Sequence, residues 1–185
     1  MENSALYFGI IPLIAFVLID SFMGLKAGLI AAIAFAFLES AASIYWFGGI
    51  DWLSILSLLL VLLLAYVSYR KKTAIHFKLQ PVVLSIIFGM TFLITYWMGR
   101  PIMYSMLVKY QAQLPPQMQA LMQDEQYIAL LKLSSHYLGY ALLLHAGLTA
   151  WAAFKMSNWW WVLIRGVGFY GFTILAMLIA RYQLS

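Results

Sequence analysis

Glu39 is the residue of this chain whose chemistry is hardest to explain as ordinary packing. It lies among apolar residues, with 31–38 before it and Ala41 shortly after it. An ionisable group deep in an apolar helix costs free energy unless it is paired, protonated or directed at a cavity. Glu39 can therefore be a proton or cation site, or a polar contact for a substrate headgroup. The more ordinary interpretation, which we favour, is a structural carboxyl bonded to a Tyr, Ser or Arg side chain of another helix.

Two other polar residues are candidates to act with Glu39. Ser43 follows one helical turn later and therefore shares its face. Arg165 lies about two turns inside the last apolar stretch, where its side chain can extend past tryptophans to the interface or pair with Glu39. We prefer extension to the interface; the pair would make the second and sixth apolar segments neighbours. Asp20 is close in sequence to Lys26, which predicts an interfacial ion pair.

Two histidines share the fifth apolar segment but cannot act together on a metal. His136 and His145 are nine residues apart, and at about 100° per residue they fall on nearly opposite faces of a helix. No H-x-x-x-H or E-x-x-H spacing is present, so we predict no metal site. Each histidine alone is more typical of a packing residue, and His145 is kept as a candidate for the intramembrane polar site.

The sequence lacks the patterns that carry catalysis. It contains no nucleophile beside a matched base, no phosphate-binding loop and no carboxylate pair. The letters GVGFYG at 166–171 match a dinucleotide-binding motif, but they lie in an apolar stretch with no strand before them. We predict no catalytic residue, no cofactor and no enzymatic activity. An enzyme acting on lipid headgroups, with His136 or His145 as base, is the weaker alternative.

The composition indicates which elements must position these side chains. The chain is 65% hydrophobic and 9% charged, with a mean hydropathy of +0.90, whereas soluble proteins carry about 25% charged residues. Its apolar blocks are about 20 residues long, the length of a membrane-crossing helix. The absence of cysteine excludes disulfides, iron–sulfur clusters and thiol catalysis. We predict an all-α integral membrane protein, a single helical bundle over 1–185.

Six spans account for the apolar blocks, or five if the first does not cross fully. Pro12 predicts a kink or a late helix start in that first span. Residues 102–132 are more polar and predict amphipathic helices on the membrane interface, or alternatively a polar loop on the bundle. The predicted spans are 5–23, 27–47, 52–69, 81–99, 133–154 and 159–180.

The net charge of +5 fits basic residues at the ends of spans, against anionic lipid, better than nucleic-acid binding, which we do not predict. The Arg70–Lys72 cluster indicates that its loop is cytoplasmic and that both termini are outside. One face then holds Lys26, Arg70, Lys71, Lys72, Lys78 and Lys155, and the other holds Arg100, Lys109, Lys132 and Arg181. The residues predicted to contact the interface or lipid headgroups are Arg70, Lys71, Lys72, Lys78, Arg100, Trp159, Trp160 and Trp161.

Small residues predict close helix packing in two segments. They would suit a neighbouring helix or a homodimer, and the sequence does not distinguish these. The predicted packing positions are Gly24, Gly28, Ala32, Ala36, Gly166 and Gly168.

Several short stretches resemble the bacterial intracellular septation protein A family. The stretch 96–102 (YWMGRPI) is similar to the family's W-x-x-[KR]-[KR]-P-[IL] ending of a span, and 161–168 (WVLIRGVG) is similar to its W-x-x-[FL]-K-x-F-G. The stretches 11–14 (IPLI) and 77–81 (FKLQP) also match. Gly99, Ala150 and Val167 depart from the family pattern, and the segment from Pro115 to residue 132 is longer than usual.

The resemblance implies a multi-pass protein of the bacterial inner membrane. The family is linked to envelope integrity, septation, cell division and membrane lipid homeostasis, with contacts to lipids and to envelope-synthesis or division proteins. It implies a structural or lipid-contacting role for Arg165. Our first hypothesis is therefore a non-enzymatic protein with these contacts; the alternative is a small transporter or channel for a lipid or ion that uses Glu39.

Overall fold

The computed structural model describes residues 11–47, 52–109, 111 and 115–184, and for 11–14, 43, 46, 47 and 52–54 it describes the backbone alone. These residues are almost entirely helical, and no strand occurs among them. The helices are α1 (Ile11–Met23), α2 (Leu25–Phe47), α3 (Trp52–Lys71), α4 (Ile75–Lys78), α5 (Gln80–Trp97), α6 (Ile102–Lys109), α7 (Pro116–Leu121), α8 (Glu125–Lys155), α9 (Asn158–Leu163) and α10 (Phe169–Tyr182), with a π-helical turn, Ile164–Gly168, between α9 and α10.

Four stretches of the described residues are long and apolar enough to cross a membrane. They are Leu25–Ala42, Ile75–Trp97, Glu125–Lys155 and Asn158–Tyr182. The helical, membrane-compatible architecture agrees with the sequence prediction, whereas six crossings stay a prediction. The first predicted span, 5–23, starts before the described residues, in which α1 runs from Ile11 to Met23.

The segment predicted to lie at the interface is shorter than expected. The helix α8 begins at Glu125 instead of residue 133, because the Asp124 side chain caps it: Gln126 N–H donates to Asp124 Oδ1 over 2.9 Å. Lys132 therefore belongs to α8, and its Nζ lies 4.9 Å from the Tyr104 ring of α6. The cation–π contact joins α6 to the long helix.

The described chain forms two compact units. The first comprises residues 11–81 and 150–162, and Phe16, Val17, Phe77 and Trp161 are fully buried among its residues. The second comprises 82–149 and 163–184.

Glycines mark close helix approaches inside each unit. In the first, a Cβ on Gly28 would lie 2.8 Å from Asp20 Cβ and 3.0 Å from the Phe16 carbonyl oxygen. In the second, α5 and α8 meet at Gly89 and Gly139, where a Cβ on either would lie about 3 Å from the other's carbonyl oxygen. Gly89 and Gly139 are not among the predicted packing positions, although each is a small residue in an apolar helix.

Candidate functional site

A basic groove opens at one end of the first unit, where α2 begins and α3 ends. Its volume is about 490 Å³, and it is lined by Leu25, Lys26, Tyr69, Arg70 and Lys72. Three of these side chains are cations, and no carboxylate is among them. The first turn of α2 adds the positive end of its helix dipole. We call this surface the basic groove.

The α1–α2 turn brings Lys26 to the groove. Gly24 has φ +82°, in the left-handed region that favours glycine, and the turn between the two helices consists of this single residue. Gly24 N–H donates to the Asp20 carbonyl over 3.0 Å, and Gly28 N–H to the Gly24 carbonyl over 3.1 Å. Because α2 starts at once, Lys26 lies in its first turn.

Ser68 holds the other wall of the groove. Its carbonyl accepts a hydrogen bond from Thr73 N–H over 3.1 Å, and its Oγ accepts one from Phe77 N–H over 2.7 Å. Ser68 is fully buried. The chain reversal after α3 is therefore held by two hydrogen bonds that tie Thr73 and Phe77, after Lys72, back to Ser68 before it.

Lys72 has a backbone conformation that usually belongs to glycine. Its φ is +52°, and the other described residues with φ in this region are Gly24 and Gly99. The left-handed conformation costs an L-residue with a Cβ about 1–2 kcal/mol. Lys72 thus occupies the glycine position at the end of a helix and is one of the residues that line the groove.

Lys78 is not the surface lysine that the sequence predicts. Its side chain is only 7% exposed, and its Nζ lies 5.9 Å from the centre of the Trp161 ring. Trp161 is fully buried, which also corrects its predicted place in an interfacial belt; Trp159 and Trp160 are exposed. The indole Nε1 of Trp161 has no hydrogen-bond partner in the described structure. The reason is that α4 and α9 pack these two side chains into the interior of the unit.

Asp20, which is half-buried, extends this pair of buried side chains into a cluster. Its Oδ2 accepts a hydrogen bond from Asn158 Nδ2 over 2.9 Å, whereas the predicted partner, Lys26, lines the groove. Asp20 also interacts electrostatically with Lys78. We call Asp20, Lys78, Asn158 and Trp161 the Lys78 cluster; it ties α1 to α4 and α9.

The structure describes the side chains of Glu39 and Arg165, but for Ser43 it describes the backbone alone. Glu39 is half-buried in α2 of the first unit, and Arg165 is half-buried in the π-helical turn of the second. Both make interactions, and a pair between them stays a prediction. Ser43 lies in α2, but its side chain is outside the described part of the chain.

His145 is buried in the second unit and has structural contacts. It is 2% exposed, and its Nε2 lies 3.2 Å from both the Ile164 carbonyl and Thr149 Oγ1. The rings of Phe169 and Phe172 lie 5.8 and 5.9 Å away. Ile164 begins the π-helical turn, in which the backbone hydrogen bonds join residues five apart and not four apart as in an α-helix. The sequence predicted an uninterrupted last helix and so missed this turn.

His136 is half-buried among tyrosines. Its ring centre lies 4.4 Å from that of Tyr96, 4.9 Å from that of Tyr140 and 5.4 Å from that of Tyr137. No group of three His, Asp or Glu residues that could hold a metal is found within the described ranges.

The small residues fall into two groups. Ala32 and Ala36 are buried along the same face of α2 as the tightly packed Gly28. Gly24 and Gly166, in contrast, have open space where a Cβ would be, so they do not mark close approaches of described residues. Gly24 serves the α1–α2 turn instead. A Cβ on Gly168 would make ordinary contact with His145, 3.5 Å from Cδ2.

The remaining predicted interface residues, Arg70, Lys71 and Arg100, are exposed.

Comparison of the chain with protein-family models, curated proteins and solved structures finds no match. The resemblance to the septation family is therefore carried by the short stretches alone.

Proposed function

We propose that this chain is a multi-pass protein of the bacterial cytoplasmic membrane that supports the cell envelope without catalysing a reaction. It does so by binding membrane lipids and neighbouring envelope-synthesis or division proteins, and it crosses the membrane six times. The basic groove is the observation that carries the proposal. Cations at the ends of apolar helices suit the anionic headgroups of a cytoplasmic leaflet.

The contacts of the other polar residues support a non-enzymatic role. His145 bonds to a backbone carbonyl and a threonine of its own unit, and Asp20 bonds to Asn158. These side chains are engaged in holding helices together. The septation-family resemblance supplies the link to envelope integrity and membrane lipid homeostasis.

Complementation tests the proposal in a bacterial strain that lacks its own septation-family protein. Envelope defects are scored at matched membrane levels of the chain. We expect rescue by the unaltered chain and by Lys71→Gln, which changes an exposed lysine outside the groove. Rescue is expected to fail when Lys26→Gln, Arg70→Gln and Lys72→Gln are combined. No rescue by the unaltered chain would contradict the proposed function.

The Lys78 cluster favours a second candidate, a small transporter or channel for a lipid or ion. A buried lysine near a carboxylate, with an unpartnered indole N–H beside it, is typical of a polar site inside a bundle. Glu39 would be a further ionisable group on its path. Proton or ion flux in liposomes with a pH gradient, lost on Lys78→Met and on Glu39→Gln, would favour this candidate; no flux would contradict it.

A further inference from the structure

We propose that the basic groove is a specific site for the phosphate of one anionic glycerophospholipid, such as phosphatidylglycerol, and that Lys72 is its selectivity-determining residue. This inference rests on the proposed function and makes it specific. The proposed function requires only a general attraction of basic residues to the membrane. This inference names one lipid, one binding site and one residue, Lys72, that places a charge in that site.

The lining of the groove identifies the ligand as an anion that carries several acceptor oxygens. Lys26, Arg70 and Lys72 surround the same space, and a phosphate accepts hydrogen bonds from all three. The guanidinium of Arg70 can bind two phosphate oxygens at once. Tyr69 adds a hydroxyl for a headgroup oxygen or for the glycerol ester.

The surroundings indicate a lipid rather than a free phosphate. Leu25 forms an apolar wall of the groove, and Phe22 and Met23, at the end of α1, are highly exposed. Tyr66, about one turn before the groove on α3, is also exposed. An acyl chain would cover these apolar side chains while the phosphate remains among the cations.

The backbone at Lys72 supports a site that is built, rather than a chance cluster of charges. Among the described residues, the other positions with left-handed φ are held by Gly24 and Gly99, and a lysine in this conformation is strained. Thr73 N–H and Phe77 N–H, which both follow Lys72, donate hydrogen bonds back to Ser68 and hold the turn in this conformation. Lys71, the preceding residue, is exposed, has the same charge and does not line the groove.

This difference gives a matched pair of variants. Lys72→Gly removes the charge from the groove and relieves the backbone strain, so the thermal midpoint is expected to stay the same or rise. Lys71→Gln removes one charge beside the groove. A diffuse electrostatic surface would respond equally to the two changes, whereas a site responds to Lys72 alone.

The experiment measures lipid binding to the purified full chain in a neutral detergent, by native mass spectrometry and by titration with fluorescent phosphatidylglycerol. Phosphatidylcholine and inorganic phosphate are the comparison probes. We expect one phosphatidylglycerol to bind more tightly than phosphatidylcholine. Lys72→Gly should weaken it about fivefold, the effect of one basic charge near a membrane surface, and Lys71→Gln should leave it unchanged.

Three results would overturn the inference. Equal weakening by Lys71→Gln and Lys72→Gly would mean a diffuse basic surface. Equal binding of phosphatidylglycerol and phosphatidylcholine would exclude selection for an anion. Displacement of the lipid by inorganic phosphate at the same concentration would make the ligand a soluble phosphate. If binding fails while the chain still rescues the bacterial strain, only this inference falls; if binding holds and rescue fails, the proposed function falls alone.

Discussion

Ser68, which lies four residues before Lys72, holds the turn that forms one wall of the basic groove. Its Oγ accepts from Phe77 N–H, and its carbonyl accepts from Thr73 N–H. Only the side-chain bond can be removed by mutation. A buried N–H left without an acceptor destabilises the fold, and the position of Lys72 depends on this turn.

We expect Ser68→Ala to lower the free energy of unfolding by about 1 kcal/mol, because the buried Phe77 N–H loses its acceptor. Thermal or denaturant unfolding in detergent measures the change. Ser105→Ala is the control, since Ser105 is exposed and its hydrogen bond is long, at 3.4 Å; it should change stability by less than about 0.5 kcal/mol. Equal effects of the two substitutions would contradict this account.

We expect His145 to have a structural role. His145→Gln should reduce thermal stability, because the hydrogen bonds to the Ile164 carbonyl and Thr149 depend on the imidazole. It should preserve rescue of the envelope defect at matched membrane levels. His136→Gln is tested alongside. Loss of rescue with normal amounts of folded protein would support the headgroup-enzyme hypothesis in place of a structural role.

Helix packing in the first unit depends on the close approach of α1 to α2 at Gly28. A Cβ there would meet Asp20 Cβ at 2.8 Å and backbone atoms of Phe16 and Asp20 at 3.0 Å, and backbone cannot move aside as a flexible side chain can. Asp20 also belongs to the Lys78 cluster. Separation of α1 from α2 would therefore disturb both the helix packing and the polar contacts of the Lys78 cluster.

Gly28→Ala is expected to lower the free energy of unfolding by about 1–3 kcal/mol, the usual cost of overpacking, and Gly28→Leu should prevent accumulation of folded protein. Gly147→Ala provides the matched control, because Gly147 lies in α8 with open space where its Cβ would be. Alanine there should be neutral or slightly stabilising, since it favours the helix. Unfolding midpoints and membrane yields are compared. A neutral Gly28→Ala would refute the close approach.

At the scale of the whole molecule, the basic groove and the Arg100 turn should lie on opposite sides of the membrane. The connection between them contains Ile75–Trp97, one of the four stretches long and apolar enough to cross. The chain has no cysteine, so a single introduced thiol reports its own location. Lys71 and Arg100 are both exposed and suit this purpose.

We expect an impermeant thiol reagent added outside intact spheroplasts to label Arg100→Cys and not Lys71→Cys. Permeabilisation should make Lys71→Cys reactive, because basic loops lie on the cytoplasmic side. The cysteine-free parent chain gives the background. Labelling of both positions from outside would mean that Ile75–Trp97 does not cross, and labelling of Lys71→Cys alone would reverse the orientation.

The sequence by itself determined the solvent and the elements of this protein. Apolar blocks of membrane-crossing length predicted the long helices, since hydrophobic length depends on the residues of one segment alone, although α8 begins eight residues before its predicted start. It also identified the cations of the basic groove, because basic residues at the ends of apolar blocks are visible as letters. Helix ends are also local features. Asp124 caps the start of α8 through a hydrogen bond to Gln126 N–H, and Gly24 ends α1 through its left-handed backbone conformation.

Only the tertiary structure decided which polar groups meet. Asp20 and Asn158 are 138 residues apart, and Lys78 and Trp161 came from segments that the sequence assigned to the interface. The helices α2, α3 and α8 show almost no difference in hydrophobicity between their faces, so periodicity does not reveal which face packs inward. In a membrane both lipid and protein neighbours accept apolar residues; the burial of Lys78 and the meeting of Lys26 with Lys72 therefore depend on how the helices pack.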